Sequence, residues 1–242
     1  ISTSKVEALY AVALRDRGYK VVVALPYPDT IIERIFAATG ITEFIYLSEF
    51  RGKLEQQKYQ VDAKEILTKY INGKDFSIFE LDGFRIGRNA LSITTRNLRV
   101  GKIDFTNSEH LLELETNLAT SLTTKAIAQK LLGSVKPDLA VFVERGYSPA
   151  GELFDACLIS GIDVVNWNVA TQNRRFIFKR YNLATRDQHP LALDEESWNK
   201  IKQHTLKEEH KTHLLKKMSS HYKENAWFNR QQLHAGKKIF NH

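Results

Sequence analysis

The segment VFVERGYSPAGELFDACL, residues 141–158, holds the residues best suited to chemistry. An apolar run ends in Glu144 and Arg145, turns through Gly-Tyr-Ser-Pro, and resumes with helical spacing. In a parallel sheet covered by helices, ligands bind beyond the strand tips, where the next helix directs free N–H groups and partial positive charge into the crevice. A carboxylate at such a tip can accept a hydroxyl proton. Glu144 is therefore the candidate base, with Arg145, Tyr147 and Ser148 as groups that hold the other reactant. The competing reading pairs Glu144 and Arg145 with neighbours at a solvated edge.

A second binding loop is expected at NWNVATQNRRFIFKRY. Asn166, Asn168, Thr171 and Gln172 are compact hydrogen-bonding groups, and Arg174, Arg175, Lys179 and Arg180 add four positive charges within seven residues. Polar groups beside cations suit a phosphorylated sugar, because guanidinium groups grip phosphate oxygens in pairs. The alternative is a basic strand with Phe176 and Phe178 inward and its charges in water. Neither GxGxxG nor a Walker A motif is present, so no dinucleotide or P-loop site is expected and this chain is assigned no cofactor of its own. His210 and His213 lie one helical turn apart with His204 and His221 nearby, but the surroundings are lysine-rich and lack HExxH, so no metal is assigned. The single cysteine, Cys157, sits on an apolar helical face and reads as a buried small residue.

These groups must be positioned by a fold that the apolar spacing outlines. SKVE starts a helix with Ser4 as cap and Glu7 completing the box, and Gly18 stops it; YKVVVAL is a strand. Thr30 and Glu33 open a second helix, which runs to Gly40 and is followed by the strand EFIYL. Residues 51–75 read as a loop and one surface helix. FSIFELDGFRIG gives a strand and an Asp-Gly turn, then a helix from about Gly87 to Gly101. A helix of about six turns ends at Gly133. LAVFVE follows as a strand covered on both faces, and Ser148 caps a helix with Pro149 in its first position. That helix ends at Gly161, and IDVVNWN is the next strand. Alternation of this kind predicts an α/β fold, a Rossmann-like doubly wound parallel sheet flanked by helices, over residues 1–192. Residues 193–242 read as a helical C-terminal segment. The chain opens on a helix and without methionine, so a first strand is expected to be missing.

The 242 residues are 43% apolar and 26% charged, the make-up of a globular chain, and no run is long and apolar enough to cross a bilayer. The net charge of +7 is unevenly placed: residues 1–169 carry 20 basic and 21 acidic side chains, and 170–242 carry 15 and 7. The basic end suits a phosphate-rich or membrane-surface partner, or a solvated helix face.

ERGYSPAGELFDACLISGIDVVNWN, FKRY, HPLALDEESWNKI and HYKENAWFNRQQLHAGKK resemble the N-terminal half of bacterial GT-B-type glycosyltransferases that build capsular and surface polysaccharides. LDGFRIGRNALSITTRNLRVG is similar to an earlier segment of those proteins, so the likeness covers most of residues 75–242. It implies two Rossmann-like domains facing a cleft, with the nucleotide-sugar donor on the C-terminal one and the acceptor on the N-terminal one. No second αβαβ series follows Asn166, so the chain is expected to supply only the acceptor half and to be inactive alone. The resemblance further implies a saccharide or lipid-diphosphate-linked acceptor and an absent donor-binding domain as partner; with no apolar span and no signal-peptide layout at ISTSKVEALY, the chain is expected in the cytoplasm, or as a soluble part of something larger, with peripheral contact at the inner face of the membrane open. Two other classes stay open: a non-catalytic carbohydrate-binding module, and a basic nucleic-acid binder, suggested by the pI near 9.3 but without an RNP-like or helix-turn-helix pattern.

Overall fold

A computed structural model describes residues 2–170 and 175–223. The chain divides into two compact units, Ile1–Trp167 with Phe178–Arg186, and Asn168–Ile177 with Asp187–His242.

The first unit begins with α1 (Ser2–Arg15), β1 (Val23–Leu25), α2 (Thr30–Ala37) and β2 (Phe44–Tyr46). α1 starts before Ser4, which lies buried in its first turns, and Ala8 and Ala11 continue the same inward face. α2 is capped by Asp29 rather than Thr30. The Asp29 carboxylate accepts from the N–H groups of Ile31 and Ile32, and Asp29 N–H donates back to Glu33 Oε1 at 2.9 Å, a reciprocal cap shifted by one residue from the expected box. β1 and β2 pair in parallel, Val23 opposite Phe44. Ala8, Ala11, Phe36 and Ile41 close a small core beside them.

The largest core surrounds a helical hub. α3 (Lys53–Leu67), α4 (Gly73–Ser77), α5 (Ile86–Leu98) and α6 (Ser108–Ser134) enclose Phe76, Phe84, Ile86, Leu114, Leu118 and Leu122. Burying each such side chain contributes about 1.5–3 kcal/mol. The strand expected at residues 76–81 does not form: Phe76 and Ser77 close α4, and the chain from Ile78 runs as a turn. Asn72 Oδ1 accepts from Asp75 N–H to start a helix, and Phe76 and Phe79 then turn to the same core at helical spacing, leaving only a bridge between Leu81 and Phe84. α5 ends before Gly101 because Arg99 takes the left-handed turn at φ 56°. At its start, a Cβ on Gly87 would stand 1.9 Å from the Phe76 carbonyl oxygen, so no other residue fits there.

β3 (Leu139–Phe142), α7 (Ala150–Ile159) and β4 (Asp163–Val169) form a β–α–β unit whose strands pair in parallel, Leu139 opposite Asp163 and Phe142 opposite Asn166. β5 (Phe176–Tyr181) lies on the other side of β4, and the connection over 170–175 is too short for a parallel crossover, so β5 runs antiparallel. β3 is thus an edge strand among the described residues. This explains why Val141 is 38% exposed where coverage on both faces was expected. The described strands fall into two sheets, β1-β2 and β3-β4-β5, each smaller than the single sheet that the alternation predicts. What the structure defines is α/β architecture with parallel pairing.

The second unit contains α8 (Glu195–Lys202), capped by Asp194 Oδ1 at Ser197 N–H, and α9 (Glu208–Lys223). Trp198, Ile201, Leu214 and Met218 on these helices are exposed. No described helix is long and apolar enough to cross a membrane.

Candidate functional site

Asn166, Glu144 and Arg145 lie at or just beyond the ends of β3 and β4. Asn166, opposite Phe142 in the ladder, donates its amide N–H groups to the carbonyls of Phe142 and Val143 at 2.9 and 3.0 Å. It is 1% exposed and acts as a cross-tie between strand tips. The chain then runs through 143–149 to α7, with a cis peptide between Ser148 and Pro149. Pro149 rather than Ser148 occupies the cap position, and no side chain caps this helix.

Glu144 is exposed, whereas Arg145 next to it is buried. Arg145 Nη1 donates to the Arg186 carbonyl at 2.7 Å, and its guanidinium lies 4.3 Å from the Tyr181 ring centroid and 5.3 Å from that of Phe154. Burial pulls its pKa down, opposed by Tyr181, but a guanidinium remains protonated across the working range of proteins. The two neighbours thus face different ways. Arg145 organises the interior and Glu144 faces outward. Tyr147 is half-buried under the Arg96 guanidinium, 4.5 Å from the ring centroid.

Lys179 and Arg180 in the first unit differ in their surroundings. Lys179 is half-buried, its ammonium 5.6 Å from the Tyr181 centroid, while exposed Arg180 pairs at 2.9 Å with Asp163, the first residue of β4. Arg180 thus sits toward the start of β4, away from the Asn166 cross-tie. In the second unit Asn168 is half-buried and Arg175 is exposed, its carbonyl accepting from Ala170 N–H. Thr171, Gln172 and Arg174 lie outside the described residues. Cys157 is buried, which pushes its thiol up to about 12 and removes it as a nucleophile at neutral pH.

Several polar residues beneath the strand tip were not anticipated. Arg85 and Asp155 form a buried pair: Nη2 and Nε donate to Oδ1 at 2.7 and 3.0 Å, and the Arg85 backbone N–H donates to Oδ2 at 2.9 Å. Arg85 Nη1 also reaches the Arg186 carbonyl at 3.2 Å, so two arginines converge on one backbone oxygen. Arg186 returns the contact through its side chain, to the Gly83 carbonyl at 2.7 Å and to Glu80 at 2.5 Å.

Glu152, in the first turn of α7, is fully buried, and the Ser121 hydroxyl of α6 donates to its Oε1 in a short hydrogen bond. Desolvation raises its pKa to about 7. Ser121, the Glu152 backbone N–H and Ser148 favour the charged form, and Asp155 opposes it. The Ser148 hydroxyl is near enough to exert that influence yet falls short of hydrogen-bond geometry, so Ser148 Oγ and Glu152 Oε2 both lack a hydrogen-bond partner, as does Asn89 Nδ2. Asn89 packs its amide flat against Gly151, where a Cβ would lie 2.6 Å from it. Each unsatisfied buried group costs about 1–3 kcal/mol, so three in one place require a reason. One sequence signal marks this region. Glu152 and Asp155 are the two charges in AGELFDACLI, three apart and therefore on one side of an otherwise apolar helix.

Two clefts lie elsewhere in this unit, about 260 Å³ beside α3 and α6 and about 300 Å³ between α6 and α7, and none of the sequence-derived candidates lines either. The fold and site define an α/β protein with a β–α–β unit and a polar interior beneath its strand tips. No protein-family model, curated protein or solved structure matches the chain.

Proposed function

We propose that the chain is the acceptor-binding half of a GT-B-type glycosyltransferase of bacterial surface-polysaccharide synthesis, with a Rossmann-like core. In this reading a separate domain holds the nucleotide-sugar donor, and the chain works in the cytoplasm at the inner membrane face. The observation that supports it is the parallel β3–α7–β4 unit, at whose carboxyl strand ends Glu144 stands exposed while Asn166 and Arg145 fix the surrounding backbone. Glu144 takes the proton of the acceptor hydroxyl as that oxygen bonds to the sugar and the nucleotide leaves. The wording of ERGYSPAGELFDACLISGIDVVNWN adds the resemblance to such enzymes.

The test joins the chain to its donor-binding domain and measures sugar transfer. The isolated chain makes no product with nucleotide sugars and saccharide acceptors, and the joined protein does. Glu144→Gln then lowers kcat by roughly 100 to 10,000-fold with donor affinity unchanged. Transfer within about threefold of wild type removes Glu144 from the mechanism, a margin far inside the general-base range. Acceptor binding without any transfer by the joined protein assigns a carbohydrate-binding module instead.

A further inference from the structure

We propose that Asn89, Ser148 and Glu152 form a buried binding site for a single hydroxyl group, with Asn89 Nδ2 donating to its oxygen and Glu152 Oε2 hydrogen-bonded to it, as acceptor when ionised and as donor when protonated. The three residues come from α5, the β3–α7 connection and the first turn of α7, and are 1%, 4% and 0% exposed. They converge on one stretch of backbone. The Asn89 amide lies against Gly151, the residue before Glu152, and the Ser148 hydroxyl, one turn before Glu152, stands close enough to its carboxyl to favour the charged form as a hydrogen-bond donor would. Ser121 occupies the other carboxyl oxygen, so Oε2 is the one left to a ligand.

The unsatisfied atoms specify the ligand's chemistry. A donor amide, a carboxyl oxygen that accepts or donates with its protonation state, and a hydroxyl able to serve as either complement a group that itself accepts and donates. A cation would meet the Asn89 N–H groups, and among the described residues no group of three His, Cys, Asp or Glu could hold a metal. An anion would be repelled once Glu152 ionises, whereas a group that both accepts and donates suits the site in either state. A neutral hydroxyl satisfies all three, and it has two sources: a water molecule, or an alcohol such as one hydroxyl of a saccharide. Gly151 is part of the design, since any side chain there would drive the Asn89 amide away. The inference holds whether or not the chain belongs to a transferase.

The decisive experiment is an atomic-resolution crystal structure of the wild-type chain, grown without alcohols and then soaked in glycerol or methyl glucoside. An ordered oxygen within about 2.6–3.2 Å of both Asn89 Nδ2 and Glu152 Oε2 is expected. If it stays isolated after soaking, the ligand is water; if its density continues into carbon, the ligand is an alcohol. Absence of that oxygen, or direct bonding of those two atoms to other protein groups, overturns the site. In solution, oxygen-17 relaxation dispersion in alcohol-free buffer should detect a long-lived internal water whose residence time shortens roughly tenfold in Ser148→Ala, as loss of one hydrogen bond implies. A dispersion identical in wild type and a natively folded variant likewise counts against it.

Discussion

Replacing Glu152 with glutamine keeps the shape of the side chain and its acceptor for Ser121 while removing a titration. The folded protein holds the Glu152 proton up to about pH 7, against an ordinary value of 4.5. Between those values the native state binds a proton that the unfolded chain releases, so stability is greatest below pH 4.5 and is lost as pH rises toward 7. At 1.36 kcal/mol per pH unit, the displacement amounts to about 3 kcal/mol. Burial also raises the pKa of Glu7, which contributes with the same sign, so the wild type alone cannot isolate the effect. The assay is urea unfolding of wild type and Glu152→Gln at pH 5, 6, 7 and 8, reading the difference in unfolding free energy at equal m-values. Wild type should lose about 2.5 kcal/mol relative to the variant across this series, most of it before pH 7. Parallel curves would show that Glu152 titrates normally and is solvated, which would refute the buried carboxyl and the argument built on it.

Asp155→Asn strands the buried Arg85 charge and should cost about 3–5 kcal/mol in chemical unfolding, whereas a loss under about 1 kcal/mol would mean that water reaches the pair. Gly87→Ala forces a Cβ onto the Phe76 carbonyl and should abolish folding, seen as loss of the cooperative melt. Gly151→Ala meets only the Asn89 side chain, so it should cost about 1–3 kcal/mol and be partly rescued by Asn89→Ala; absence of coupling would separate the two residues. In the joined protein, Arg174→Gln with Arg175→Gln should raise KM for a diphosphate-linked acceptor at least about tenfold while sparing a phosphate-free analogue, and the gap should shrink with salt. Equal behaviour toward both acceptors would return these arginines to a solvated surface.

The alternating β and α segments were legible because their signals are local: Gly18, Gly40 and Gly161 take positive φ at helix ends, and the apolar runs of β3 and β4 pair as parallel strands. Residues 76–81 were not legible, because a short apolar stretch suits strand or helix equally and the Asn72 cap draws its first two residues into α4. Arg145, Ser148 and Asn166 were found as polar groups at strand tips, but their burial depends on partners far along the chain. The Arg186 carbonyl that receives Arg145 is 41 residues away, and Ser121 is 31 residues from Glu152. No spacing rule links such positions. Glu144 was chosen for its place in the motif, while the carboxyl most altered by its surroundings is Glu152, eight residues on.

The clasp at Arg186 also bears on the order in which the chain folds. Its carbonyl joins Arg85 across 101 residues, and its guanidinium joins Gly83 and Glu80 across 103 and 106. Closing a loop of that length has an entropic cost of about 4 kcal/mol, more than one hydrogen bond returns. The clasp therefore forms only after α5, α6 and α7 have already brought Arg85 and Arg145 together, and it latches a finished domain rather than nucleating one. Contacts made so late act on the unfolding rate, so loosening Arg186 would shorten the lifetime of the native state while leaving its refolding rate nearly unchanged.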